Sequence, residues 1–416
     1  NNIFNINKLK YIELLFKILG EFMNKKLESF KEFVKGKKVA VIGLGISNTP
    51  LIKYLLNLNT NITAFDIAEE SNLQHTMLKL NKYGSLDYHL GKDYLTHLVG
   101  FDIIFKTPKV RFDTPEIEAE RHRGALITSE MEVFMGLCPA NIIGITGSDG
   151  KTTTTTIIYN ILKDEGYNCW LGGNIGTPLI DKIDDIKEND KVILELSSFQ
   201  LHTMNLSPNI AVVTNISPNH LDVHKSMEEY VEAKKNIFLY QKDDNMVVLN
   251  YDNVITNSFS KESKSNIRYF SRLNELESGV FVKNDKIIFR ENGKDKEIVA
   301  IKDIIIPGVH NVENYLAAIA ATIDIANPEI IKKVAMSFGG VEHRNEFVRK
   351  INGIKFYNDS IGSSPTRTIA TISSFNKKVI LITGGYDKNI PYDVMGKAVI
   401  DKAKAVILFG QTGPLI

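Results

Sequence analysis

Residues 142–162 read IIGITGSDGKTTTTTIIYNIL. An apolar β-branched run leads into a glycine-bounded loop, then into a segment with helical character. This strand-loop-helix order points the backbone N–H groups of the loop and helix start at a common anion. The candidate phosphate ligands are therefore Gly147, Ser148, Asp149, Gly150, Lys151, Thr152 and Thr153. Lys151 suits the β- and γ-phosphate oxygens of ATP, and the Thr152 hydroxyl suits Mg²⁺. The spacing differs from the usual G-x-x-x-x-G-K-[ST] pattern, because Ile145 stands where its first glycine belongs. A plain Gly/Ser turn between strand and helix is the alternative.

Around this stretch, short apolar runs alternate with helical patterns: KKVAVIGLG, NITAFD, DIIFKTP, KVILELS, NIAVVTNIS, KKVILITGG and KAVILFG. Such alternation predicts α/β architecture with parallel, doubly wound sheets. Three series separate: residues 23–137 as a Rossmann-like domain, 138–340 as a central P-loop ATPase-type domain, and 341–416 as an incomplete Rossmann-like domain. Strand and turn signals between Asn245 and Pro307 predict an antiparallel extension of the middle domain. The third series supplies strands near Lys355, Val379 and Val406, too few to cover a sheet, so a truncated C-terminal domain is expected. Residues 1–22 precede a more natural start at Met23 and are read as an appendage, since four charged side chains interrupt YIELLFKIL and its flanks.

The 416 residues carry 50 basic and 49 acidic side chains, which leaves +1 of formal charge and no electrostatic footprint for nucleic acid or an anionic membrane. No stretch reaches the roughly 18 uninterrupted apolar residues of a membrane span. Cys138 and Cys169 form no C-x-x-C pair and read as buried thiols of a reducing cytoplasm. Small-molecule partners and a monomer are expected.

Further motifs carry candidate chemistry. Gly43 and Gly45 follow one strand and Asp66 ends the next, the dinucleotide pattern, although Asn48 occupies the third glycine position. A nicotinamide dehydrogenase and a loop for another nucleotide diphosphate both remain open from this segment. Glu195 ends the strand of KVILELSSFQL, where ligands collect and where a carboxylate suits Mg²⁺, or where it closes a salt bridge. His220 follows the strand of NIAVVTNISPNH. In SMEEYVEAKKNIF, Ser226 and Glu229 suggest a capping box, and Lys234 lies within the apolar stripe of Tyr230, Val231, Ile237 and Phe238. Burial lowers an amine's pKa. A neutral Lys234 near a metal takes up carbon dioxide to give a carbamate with two oxygen ligands; the alternative is a snorkelling side chain. Asn311 and Asn314 share one helix face, suited to a base or phosphate or to capping. Arg344, Asp359 and Lys388 sit on loops of the third series.

GITGSDGKTTTT, GGNIGTPL, ELSSFQL, YVEAKKNIF, GVHNVENYLAA, EHRNEF, NDSIGSSPT and GGYDK occur in an order that resembles the Mur ligase family, from about Lys38 to Gly410. The family's loop is the shorter T-G-[ST]-x-G-K-[ST], which accounts for the unusual spacing. ELSSFQL and the lack of a DNPR motif resemble the branch that joins D-glutamate to UDP-N-acetylmuramoyl-L-alanine in cytoplasmic peptidoglycan precursor synthesis; a relative using another amino acid is the alternative. The resemblance implies ATP and two Mg²⁺ ions, with Thr152, Glu195, His220 and carbamylated Lys234 as metal ligands. It implies Asn311, Asn314, Arg344 and Asp359 on ATP, Ser47, Asp66, Thr107 and Pro108 near the uridine diphosphate, and Asn174 near the muramoyl group. Ser363 and Lys388 are implied to receive D-glutamate. Lys109 stands where the family has Gly and Ile361 where many relatives have Lys.

Overall fold

The structure, a computed structural model, describes residues 23–217, 224–360, 362, 365–386 and 391–416. The described chain divides into two compact units. One takes the chain up to Gly147, with 167–247 and 259–267; the other takes 148–166, 248–258 and 268–416.

In the first unit, β1 (Lys38–Ile42), β2 (Asn61–Asp66), β3 (Asp87–Leu90), β4 (Ile103–Lys106) and β5 (Leu126–Thr128) form a parallel sheet in the order β3-β2-β1-β4-β5. β1 and β4 are almost wholly buried, which explains why they read as unbroken apolar runs rather than alternating ones. Ala40, Ile42, Phe65, Ile104, Ile117 and Ile127 make the core on one face. The strand order reverses at β1, so the carboxyl ends of β1 and β4 bound the crevice where ligands collect.

The same unit contains a second parallel array. β6 (Asn141–Thr146), β7 (Cys169–Gly173), β8 (Lys191–Glu195) and β9 (Ile210–Val213) run in the order β7-β8-β6-β9. Here the order reverses at β6, and Thr146, Glu195 and Thr214 stand at or just beyond the carboxyl ends of three adjacent strands. The chain passes into the second unit within β10 (Met246–Asn250). Cys138 and Cys169 form no disulfide and are half-buried rather than fully buried.

The chain passes into the second unit again within β11 (Asn266–Ser271), and β12 (Gly279–Lys283), β13 (Lys286–Glu291) and β14 (Lys294–Ala300) follow in sequence order; β12 to β14 are antiparallel, as the turn signals predict. The helix Val309–Thr322 is buried nearly all round and packs on the helix Lys151–Glu165. The third series departs from one continuous sheet. β15 (Glu346–Ile351) and β16 (Ile354–Asn358) close a hairpin, while β17 (Val379–Gly385) and β18 (Ala403–Gly410) form a separate parallel pair. The strand near Lys355 is diverted because Asn352 and Gly353, with φ of 47° and 84°, make the two-residue turn that pairs it locally.

Candidate active site

The strand, loop and helix form in the order the sequence predicts, with the loop between Thr146 and Lys151, and its glycines are required by close neighbours. Gly147 has φ 146°, and a Cβ there would lie 1.9 Å from Thr214 Oγ1. Gly150, at φ 79°, is the N-cap of the helix Lys151–Glu165; its Cβ would lie 2.3 Å from Asn314 Oδ1. Neither position admits another residue without displacing a buried polar group. Lys151 Nζ donates to Ser148 O at 3.0 Å, so its ammonium lies over the loop. No acidic residue occupies the first helical turn, which leaves the positive end of the helix dipole uncompensated by the helix itself.

Asn311 and Asn314 share a helix face, but Gly308 is the N-cap, which overturns the capping alternative. Thr154 Oγ1 donates to Asn314 Oδ1 at 3.3 Å, Asn314 Nδ2 to Asn311 Oδ1 at 3.0 Å, and Asn311 Nδ2 to Pro307 O at 2.6 Å. This buried relay braces the loop glycine from behind. Burial also lowers the pKa of the neighbouring His310, with weaker opposition from Glu313 and Asp149.

In the first unit, Glu195 is 2% exposed at the end of β8. Asn174 binds it twice, with Asn174 N donating to Glu195 O at 2.7 Å and Nδ2 to Oε1 at 2.9 Å. Beyond it, Ser197 and Gln200 form a reciprocal capping box that starts the short helix Ser198–Leu201, which explains the S-S-F-Q run. Lys234 is buried as its stripe predicts, at 1% exposure. Its Nζ donates to Gly147 O at 2.8 Å and Thr146 Oγ1 at 3.1 Å and lies 4.9 Å from the centroid of the Tyr230 ring. The amine therefore ends at the first residues of the phosphate loop, an outcome that excludes snorkelling.

The capping box at Ser226 forms only in half. Ser226 Oγ accepts from Glu229 N at 3.2 Å, but the Glu229 carboxylate turns to Arg111 and to Lys225 N. His220 lies outside the described residues, as do Ser363 and Lys388 and the proposed appendage 1–22.

The crevice at β1 assembles Gly43, Asp66 and Thr107. Gly43 has φ 94°, and its Cβ would lie 3.0 Å from Thr107 Cβ. Asp66 accepts from Leu44 N at 2.7 Å and Ala68 N at 2.8 Å, so its carboxylate shapes the loop. Ser47 precedes the helix Asn48–Asn57 without capping it, and Pro108 is half-buried just after Thr107. Asn48 replaces the third glycine because its Nδ2 satisfies Ile42 O at 2.8 Å in a buried position.

In the second unit, the Arg344 loop meets Asp359. Asp359 accepts from Asn345 N at 2.9 Å and from Thr371 Oγ1 at 2.6 Å. His343 and Asn345, at φ 62° and 44°, give Arg344 a left-handed residue on either side. Sequence reasoning passed over Thr214, which ends an apolar strand as Glu195 does and was open to the same rule. It also passed over Arg111, His202 and His224, for which no local pattern exists.

Residues 145–322 match the family model described as Mur ligase middle domain, and residues 37–129 the Mur ligase MurD-like, N-terminal domain. The chain is 61% identical over 394 residues to the UDP-N-acetylmuramoylalanine--D-glutamate ligase of Acetivibrio thermocellus, covering 95% of this chain and 84% of that protein. The proteins so named from Ruminiclostridium cellulolyticum and Clostridium novyi are 57% and 54% identical, over 95% and 94% of this chain and 84% of each relative. Among solved structures, the UDP-N-acetylmuramate-alanine ligase of Thermotoga maritima aligns with a TM-score of 0.56 at 20% identity, over 91% of this chain and 86% of that one, a likeness of fold.

Proposed function

The chain belongs to the Mur ligase family, and from that premise we propose that it is an ATP-dependent ligase joining D-glutamate to UDP-N-acetylmuramoyl-L-alanine. The observation that carries the reading is Lys234, buried and hydrogen-bonded to the first residues of a glycine-locked phosphate loop. The identity with D-glutamate ligases supports the amino acid. The nicotinamide reading of the β1 crevice falls with the family assignment.

In this reading a carboxylate oxygen of the UDP-linked substrate attacks the γ-phosphorus of ATP, and ADP leaves. The amine of D-glutamate then attacks the acyl phosphate carbon and loses a proton, and the tetrahedral intermediate expels phosphate. Lys151 and the loop amides orient the phosphates and offset their charge. Asp66, Thr107, Ser47 and Pro108 hold the uridine diphosphate side, Asn174 the muramoyl side, and Arg344 and Asp359 the nucleotide. Asn311 and Asn314 act on ATP through Gly150.

The residues present fit Mg²⁺: Glu195 is a buried carboxylate oriented by Asn174, an oxygen donor of the kind a hard cation takes. Glu195, Thr152, His220 and a carbamate on Lys234 are the assigned ligands, and the bound ions would neutralise charge on the phosphoryl oxygens. The carbamate forms when the Lys234 amine attacks carbon dioxide and releases a proton. The matched spans lie inside the proposed domains, residues 23–137 and 138–340, with 341–416 as the third. We assign a cytoplasmic monomer; no helix among the described residues is long and apolar enough to cross a membrane.

The test is phosphate release from ATP with UDP-N-acetylmuramoyl-L-alanine and a panel of amino acids. Release that depends on D-glutamate is expected. Release with a different amino acid rejects that assignment, and release independent of both substrates rejects the ligase.

A further inference from the structure

The loop after β4 carries more than Thr107 and Pro108. Three residues on, Arg111 grips two carboxylates: Nε and Nη2 donate to Asp113 at 2.8 and 3.1 Å, and Nη2 donates to Glu229 Oε1 at 2.8 Å. Glu229 belongs to the helix Met227–Lys235, which also carries Lys234. Lys225 closes the ring, its Nζ donating to Asp113 at 2.7 Å and its backbone N–H to Glu229. Two carboxylates thus face two cations. The pair is partly buried, with Arg111 26% and Glu229 19% exposed, and the hydrogen bond from Arg111 holds the Glu229 carboxyl at about 2, far below its ordinary value.

Aromatic packing seals the same contact. Phe112 meets the His202 ring edge-on at 4.9 Å, and His224, stacked on Phe199 at 5.2 Å, lies against Tyr230. His202, His224 and Glu229 present ligand atoms within 4.8 Å of one another. A cation there would sit beside the Arg111 guanidinium, on a carboxylate whose oxygens already accept from Arg111 and from Lys225 N, while His224 Nε2 is 3.0 Å from Ser198 Oγ. Those partners favour a clamp over a metal site.

We propose that Arg111 is a positioning residue: its fork on Asp113 and Glu229 fixes the 107–114 loop to the start of the Lys234 helix, holding the UDP-linked substrate and Lys234 in one frame. The choice of substrate rests on the proposed function; the clamp itself does not. A planar guanidinium bridges two carboxylates in a way an ammonium does not, so Arg111→Lys keeps the charge and loses the fork.

The experiment uses the full chain with Arg111→Lys, Glu229→Gln and the double variant. Backbone hydrogen exchange of residues 107–114, without substrate, is expected to quicken about tenfold in each single variant, the scale of one lost charge-assisted bond. In turnover assays KM for UDP-N-acetylmuramoyl-L-alanine rises by a similar factor while KM for ATP stays within about twofold, and the double variant is no worse than the worse single one. Unchanged exchange, equal rises in both KM values, or additive effects overturn the clamp. So does micromolar Zn²⁺ binding that Glu229→Gln abolishes, which would assign a metal site instead. If the wild-type chain shows no D-glutamate-dependent turnover, the functional reading fails and hydrogen exchange alone decides the clamp.

Discussion

Gly150→Ala tests how the phosphate loop is held. At φ 79° a side chain pays the left-handed penalty of about 1–2 kcal/mol. The new Cβ would also stand 2.3 Å from Asn314 Oδ1, so Asn314 must move and release the bond from Thr154. Leaving a buried polar group without its partner costs about 1–3 kcal/mol. Together these come to about 2–5 kcal/mol, part of which the loop relieves by shifting away from its phosphate-binding geometry. If about 2–4 kcal/mol falls on the bound state, ATP affinity drops about 30- to 1,000-fold. Titration calorimetry with ATP and Mg²⁺ measures this. Gly166→Ala is the control: Gly166 caps the far end of the same helix at φ 107°, and nothing lies within 4 Å of its Cβ. It is expected to cost stability through the backbone alone and to leave ATP affinity unchanged. Adding Asn314→Ala to Gly150→Ala removes the collision but not the backbone strain, so affinity recovers only in part. A Gly150→Ala protein that binds ATP within twofold of wild type, or an equal loss in Gly166→Ala, refutes the reasoning.

Lys234→Ala is expected to lower turnover at least about 100-fold, the scale of losing a group that supports charge at the reacting phosphate, and wild-type activity would remove the carbamate proposal. Depleting carbon dioxide from the buffer should slow the wild-type enzyme, with recovery on adding bicarbonate. Asp66→Ala frees two loop amides, Leu44 N and Ala68 N, and should raise KM for the UDP-linked substrate about tenfold, one hydrogen bond's worth, without changing KM for ATP. Glu130 is 4% exposed, and burial, with Asp181 nearby, raises its carboxyl from an ordinary 4.5 to about 8. The folded chain therefore keeps a proton that the unfolded chain releases, so stability is full below pH 4.5 and is lost as pH climbs towards 8. Glu130→Gln should gain about 3 kcal/mol relative to wild type between pH 5 and 7.5, at 1.36 kcal/mol per unit. Urea melts at the two pH values check this, and an equal difference at both would contradict it.

The strands that carry the sites were legible because parallel strands buried on both faces read as unbroken apolar runs. Their carboxyl ends are where ligands gather in such sheets, and the candidate residues Asp66, Thr107 and Glu195 fall at or just beyond them. Lys234 was legible for a related reason, as a charge placed inside an apolar helical stripe. The Asn311 and Asn314 spacing was equally plain, but not what the two residues touch. Thr154 is 160 positions from Asn314, and no periodicity reports a contact of that range. At the β15–β16 hairpin the signal was present, since Asn352-Gly353 is a strong local turn. The neighbouring apolar run, taken with the later strands, obscured it.

Glu229 shows where a local motif stops being sufficient. Ser226 and Glu229 satisfy the capping-box pattern, and Ser226 does cap the helix. The reciprocal bond from Ser226 N would be neutral on the donor side, whereas Arg111 brings a guanidinium to the same carboxylate from 118 positions away. Either bond has an ionised acceptor, but the guanidinium adds a full opposite charge and a second N–H donor in a planar fork, so the carboxylate turns outward once that partner is in reach. Diverting one side chain costs the helix little, because Lys225 N still finds Glu229 and Ser226 still holds Glu229 N. What the helix gives up in its own cap it regains as a fixed bearing for the loop of the β1 crevice. That bearing is what Arg111→Lys removes, and it is why the variant should disturb substrate affinity before it disturbs the helix.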